Sequence, residues 1–145
     1  MTFRFAPALA VLLLALPASA QETAPAAIPD PSLALELNAL QQGESGCRVT
    51  FLATNGLGAP LERAAVEVAL FDASGAIDRI VNLDFKALAE DKTKVLQFEL
   101  SGLDCANLGR VLVNDIPACE GAGLEPGACL AGLTTSARPD IEFGV

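Results

Sequence analysis

From Leu33 onward, apolar and polar residues alternate with a period of two. In LALELNAL, Leu33, Leu35 and Leu37 share one face, with Ala34, Glu36 and Asn38 opposite. In CRVTFLATN, Cys47, Val49, Phe51 and Ala53 alternate with Arg48, Thr50, Leu52 and Thr54. VEVALF turns Val66, Val68 and Leu70 inward, and the DASG turn at residues 72–75 follows it. Further stripes are Val81, Leu83 and Phe85; Leu96, Phe98 and Leu100; Val111 and Val113; and finally Ile141, Phe143 and Val145. Runs of five to nine residues with this pattern, separated by Gly, Asp, Asn and Ser clusters, predict half-buried antiparallel strands. Residues 85–91 (FKALAED) are the one stretch with helical character, sufficient for a single turn. Seven short strands in about 110 residues predict an all-β, immunoglobulin/fibronectin-III-like antiparallel β-sandwich. A closed barrel is the alternative.

The alternation has a different kind of sequence ahead of it. Arg4 precedes an apolar run at residues 8–16 (ALAVLLLAL), too short to span a bilayer, and small residues follow at Ala18 and Ala20. Residues 1–20 are therefore expected to be a signal peptide cleaved after Ala20, the alternative being an uncleaved anchor. No cysteine follows the run for lipid attachment, and one arginine is not a twin-arginine signal. Residues 21–32 (QETAPAAIPDPS), with three prolines and no apolar period, read as a flexible, partly extended tether. The domain is expected at residues 33–145. Part of the 52% hydrophobic content leaves with the leader, and the mature chain has 125 residues. Such a chain buries roughly two thirds of its unfolded surface, enough for one core.

The stretch VALFDASGAI…LAEDKTKVLQFEL resembles the middle of exported immunoglobulin-like domains of bacteria. There a strand ending in Phe-Asp turns through Gly, and a Leu-x-x-x-x-Thr segment leads into a Phe-containing strand. More broadly, the chain is similar to small uncharacterised exported proteins of alphaproteobacteria with a GCRVTF…LDC…RVLVND…C core. Some of those carry a twin-arginine label, which the leader here does not support. The resemblance implies a compartment and a fold, and no activity.

Cys47, Cys105, Cys119 and Cys129 form an even set in a chain expected to meet oxidising conditions. Zinc sites and thioredoxin-type redox sites need close Cys-x-x-Cys pairs or histidines, and the sequence has neither. Two structural disulfides are expected. In the assumed sandwich the second and sixth strands run the same way. Cys47 opens the second and Cys105 precedes the sixth, so both lie at one pole. Cys119 follows the sixth strand, at the other pole. A disulfide spans only about 4.4 to 6.8 Å between Cα atoms, so Cys47–Cys105 and Cys119–Cys129 follow. Cys47 is expected in the core, where its loss costs more than that of Cys129. The glycine-rich run at residues 121–127 (GAGLEPG) lacks the Lys and the strand-to-helix setting of a phosphate loop, and reads as a surface loop pinned by Cys119 and Cys129.

The residue types that are missing narrow the chemistry. There is no His, Trp or Tyr, and the one Met is Met1. Ser-His-Asp and Cys-His catalysis and Met/His copper sites are thereby excluded within the chain. Stacking of sugar rings on Trp or Tyr is not available, and Phe51, Phe85, Phe98 and Phe143 belong to the apolar stripes. Carboxylates remain: Asp84, Glu90, Asp104 and Asp115 lie near strand ends, where a glycosidase-like pair would need one raised pKa. Asp115, Glu120 and Glu125 around the stapled loop are the candidate calcium ligands, without an Asp-x-Asp-x-Asp pattern. The formal net charge is −9, and −10 once Arg4 departs, which repels phosphate backbones and anionic lipid. Nucleic-acid binding and stable membrane insertion after cleavage are not expected.

What remains is an exported, non-catalytic β-sandwich module, periplasmic or secreted, that binds an unknown envelope protein and needs no cofactor or metal. The alternative is a calcium or small-ligand protein using acidic loops. If Val66, Val68, Leu70, Val111 and Val113 point inward, then Glu67, Ala69 and Phe71 point outward beside Arg110 and Leu112. Those five residues are the expected partner-binding patch, an apolar cluster with a charged rim.

Overall fold

Among the described residues the alternation becomes eight strands: β1 (Ser32–Gln42), β2 (Gly46–Gly56), β3 (Leu61–Asp72), β4 (Ile77–Leu88), β5 (Thr93–Ser101), β6 (Leu108–Glu120), β7 (Leu133–Ala137) and β8 (Glu142–Gly144). A one-turn helix, α1 (Ala128–Ala131), lies between β6 and β7. The computed structural model describes residues 31–145. The expected signal peptide and residues 21–30 of the expected tether lie outside the described residues. Ser32, assigned to the tether from sequence, already belongs to β1 and is buried.

Two four-stranded sheets face each other, in the orders β5-β2-β1-β7 and β4-β3-β6-β8. The all-β sandwich expected from the alternation is what forms, with one strand more than the seven. Its inward stripes meet between the sheets: Leu33, Leu35, Leu37, Val49 and Phe51 from one, Val66, Val68, Leu70, Phe85 and Val111 from the other. Phe51 is central. Its ring meets Phe85, Phe98 and Phe143 edge-on, at centroid distances of 5.7, 6.1 and 5.5 Å. Such pairs contribute about 0.5 to 1.5 kcal/mol beyond their area burial.

Three expectations change. The sheets are mixed rather than wholly antiparallel, because β7 runs parallel to β1 and β8 parallel to β6. β6 ends at the pole where β1 begins, so a chain continuing from there into β7 must climb beside β1 in the same direction. Leu33 N–H donates to the Gly132 carbonyl at 2.9 Å and Arg138 N–H to the Leu37 carbonyl at 2.9 Å, fixing both ends of that climb. The chain then crosses to the other sheet and descends as β8 beside β6. Second, residues 85–88 of the expected helical turn belong to β4. Third, Val145 is 70% exposed and lies beyond the end of β8, so Phe143 alone of its stripe is fully inward.

Both disulfides are those expected from topology. Cys47–Cys105 has its Cα atoms 5.1 Å apart, and Cys119–Cys129 5.9 Å apart. Beside the first, Gly46 permits a very close approach of β5: a Cβ there would sit 2.1 Å from the Leu100 carbonyl oxygen. The second pins residues 121–127 and α1 against the end of β6, as a surface loop. Disulfides of this kind persist in oxidising, non-cytoplasmic surroundings.

Candidate functional site

The outer face of the β4-β3-β6-β8 sheet holds all five residues of the expected patch. Strand alternation places them there, since Val66, Val68 and Leu70 occupy the core face of β3. Ala69 pairs with Ile80 of β4 on one side and Leu112 of β6 on the other, and Leu112 pairs with Gly144 of β8. One pleat away, Phe71 pairs with Ile77 and with Arg110, and Arg110 pairs with Glu142. One pleat in the other direction, Glu67 accepts a 2.6 Å hydrogen bond from Asn114 Nδ2. The face therefore carries two apolar rows, Ile80–Ala69–Leu112 and Ile77–Phe71, closed by polar groups at both ends.

Ala69 differs from expectation. It faces outward but is only 3% exposed, because its methyl sits at the bottom of a row of larger side chains. It forms the floor of the patch rather than contact surface. Ile77 and Ile80, which sequence reasoning missed, provide most of the exposed apolar area, at 57% and 51% exposure. A regular strand would send residues three apart to opposite faces. The β4 register slips between Leu70↔Arg79 and Phe71↔Ile77, and this bulge turns both isoleucines outward. The available signal was the Ile-x-x-Ile spacing directly after the DASG turn.

Phe71 is half-buried. The Arg110 guanidinium lies over its ring, 5.7 Å from the centroid, while Arg110 Nε stands 3.5 Å from Glu142 Oε1. Arg110 thus covers one ring face and sets a charged border. A depression of about 340 Å³ opens beside it, bounded by Asp72, Gly75 and Glu142. A second, of about 260 Å³, lies at the far end of the face, floored by Ala65 and Ala118 and edged by Arg63, Asn82 and Asp84. The apolar rows run between these two polar hollows.

Of the candidate acid-pair carboxylates, Asp84 is engaged by Lys86. Asp84 accepts from Lys86 Nζ at 2.8 Å and from the Lys86 N–H at 3.0 Å, and these contacts hold its carboxyl below the ordinary carboxylate range. A general acid needs the opposite displacement. Among the described residues, no group of three or more Cys, Asp or Glu side chains is placed to hold a metal ion, and Asp115, Glu120 and Glu125 form no such group. No helix among the described residues is long and apolar enough to cross a membrane. No protein-family model, curated protein or solved structure matches this chain.

Proposed function

We propose that this protein is an exported, non-catalytic β-sandwich module that binds a protein partner in the cell envelope, through the outer face of the β4-β3-β6-β8 sheet. One observation carries the reading: Ile77, Ile80, Phe71 and Leu112 gather on one pleated face, with Glu67, Arg110 and Glu142 at its border. An apolar centre with a polar rim is how protein-binding surfaces are built. The leader sequence and the two disulfides support an envelope location, periplasmic or secreted. The net charge of −9 favours a partner that presents basic groups around an apolar centre.

A photo-crosslinking residue at Ile80, expressed in the producing cell, is expected to give a discrete adduct. The same residue at Val95, equally open on the opposite sheet, should not. Ile77→Asp should abolish the Ile80 adduct and leave the melting temperature within about 2 °C, as for a surface substitution. No adduct specific to Ile80, or a large melting loss in Ile77→Asp, would overturn the assignment of this face.

A further inference from the structure

The edges of the two sheets are unequal. On one side they end in β7 and β8, of five and three residues; on the other in β4 and β5, of twelve and nine. A sheet edge presents unpaired backbone groups, and a long one invites pairing with another chain. β5 pairs with β2 in unbroken register from Gly46↔Ser101 to Thr54↔Thr93. The register continues past both ends as hydrogen bonds, from Gly102 N–H to the Ser45 carbonyl at 2.8 Å and from Asn55 N–H to the Lys92 carbonyl at 3.3 Å. Bonded and non-bonded positions alternate along an antiparallel pair. Lys94, Leu96, Phe98 and Leu100 therefore bond toward β2. The amides of Val95, Gln97 and Glu99 point to the outer edge, as does the Ser101 carbonyl.

Residues 94–100 (KVLQFEL) have the composition of a segment that joins edge to edge: four large apolar residues, no Pro or Gly, and one charge of each sign. Val95 is 63% exposed, and Leu96 and Phe98 are only partly buried against the core. A second copy of the strand fits this edge. In an antiparallel pairing centred on Gln97, Leu96 of each copy lies opposite Phe98 of the other, so the half-exposed side chains cover each other.

Two cations occupy the edges instead. Arg79 of β4 reaches across the open side of the sandwich and donates from Nη1 to the Ser101 carbonyl at 2.8 Å. In the reverse direction, Lys94 Nζ of β5 donates to the Phe85 and Ala87 carbonyls of β4 at 3.2 and 3.0 Å. The contacts lie at opposite ends of β5. An incoming strand has to break both and close an apolar seam over two displaced charges, which is costly.

We infer that Lys94 and Arg79 guard the β4 and β5 edges, and that without them the sandwich joins a second copy of itself through β5. The guards act at the strand edges, and the outer sheet face proposed to bind a partner stays open. Neither reading depends on the other.

The test compares wild type with Arg79→Met/Lys94→Met, both recovered after expression of the full chain, by sedimentation and amide hydrogen exchange. The wild type is expected to exchange quickly at Val95, Gln97 and Glu99 and slowly at Leu96 and Phe98. The double variant should sediment with the mass of two or more chains and gain protection at Val95, Gln97 and Glu99. Lys92→Met/Arg138→Met removes the same charge from positions outside both contacts and should behave as wild type. Three results would overturn the proposal: edge amides already protected in the wild type, a double variant of unchanged mass, or association that leaves those amides fast. Loss of protection at Leu96 and Phe98 in the double variant would also overturn it, because the two cations would then hold the sheets together rather than keep copies apart.

Discussion

Asn55 is fully buried, and every polar atom of its side chain is used. Its Nδ2 donates to the Ala59 carbonyl at 2.9 Å and the Leu88 carbonyl at 3.0 Å, and its Oδ1 accepts from the Leu57 N–H at 3.1 Å. One amide thus joins the end of β2, the loop into β3 and the end of β4. Asn55→Ala is expected to lower stability by about 2 to 4 kcal/mol, measured by denaturant unfolding, because it strands several buried backbone groups. Asp72 has a similar local role at the surface. Its Oδ1 accepts from the Ser74 hydroxyl at 2.6 Å, the Ala76 N–H at 3.0 Å and the Ser74 N–H at 2.9 Å, and these bonds lower its pKa. A carboxyl lowered on folding stabilises above its unfolded pKa, and that contribution fades as pH falls through the folded value. The melting-temperature gap between the wild type and Asp72→Ala should therefore be full at pH 7 and shrink below about pH 4. The Asp-x-Ser-Gly spacing announced this turn in the sequence. Asn55 gave no such sign, because its three partners come from segments up to 33 residues away.

β4 shows why alternation can mislead. Its two ends each contain apolar residues spaced by three, Ile77 with Ile80 and Phe85 with Leu88. Spacing of three is also what a helix shows, and residues 85–91 are the stretch with helical character. In the sheet it marks bulges. The first keeps Ile77 and Ile80 on the outer face, and the second keeps Phe85 and Leu88 in the core. Lys86 absorbs the second bulge at φ 62°, with its N–H turned to Asp84 Oδ1. A β-branched residue tolerates that conformation poorly. Lys86→Val should cost about 1 to 3 kcal/mol in thermal or chemical unfolding. Lys86→Asn should cost distinctly less, since asparagine accepts positive φ. Equal losses would mean that the Lys86–Asp84 contact matters there and the backbone does not. β7 escaped the pattern for another reason. LTTSA is a short edge strand with no fully buried residue, so no stripe reveals it.

Across the whole sandwich, the two disulfides hold opposite poles. Cys47–Cys105 closes a separation of 58 residues and Cys119–Cys129 one of 10. Chain entropy assigns about 4 kcal/mol to the long loop and about 3 to the short one. The sequence placed Cys47 in the core and expected a further penalty from its removal. The structure buries Cys47 and Cys129 alike, because α1 folds the second cysteine under the loop. Cavity costs therefore apply to both. Cys47→Ala should be less stable than Cys129→Ala by only about 1 to 1.5 kcal/mol, the loop-entropy difference. A gap of several kcal/mol would show that the core around Cys47 cannot relax.

The sequence by itself determined the all-β class, the inward stripes, both disulfide pairings and which residues of β3 and β6 turn to the outer face. Each follows from a local rule: side chains alternate along a strand, and a disulfide reaches only a short distance. The tertiary structure alone decided that Ala69 is floor and Ile77 and Ile80 are surface. It also decided that the last strands run parallel to their neighbours, and that Lys94 and Arg79 reach carbonyls across the open side of the sandwich. These features depend on register between segments far apart in the chain. A one-residue slip reverses every facing side chain, and no local alternation records where such a slip occurs.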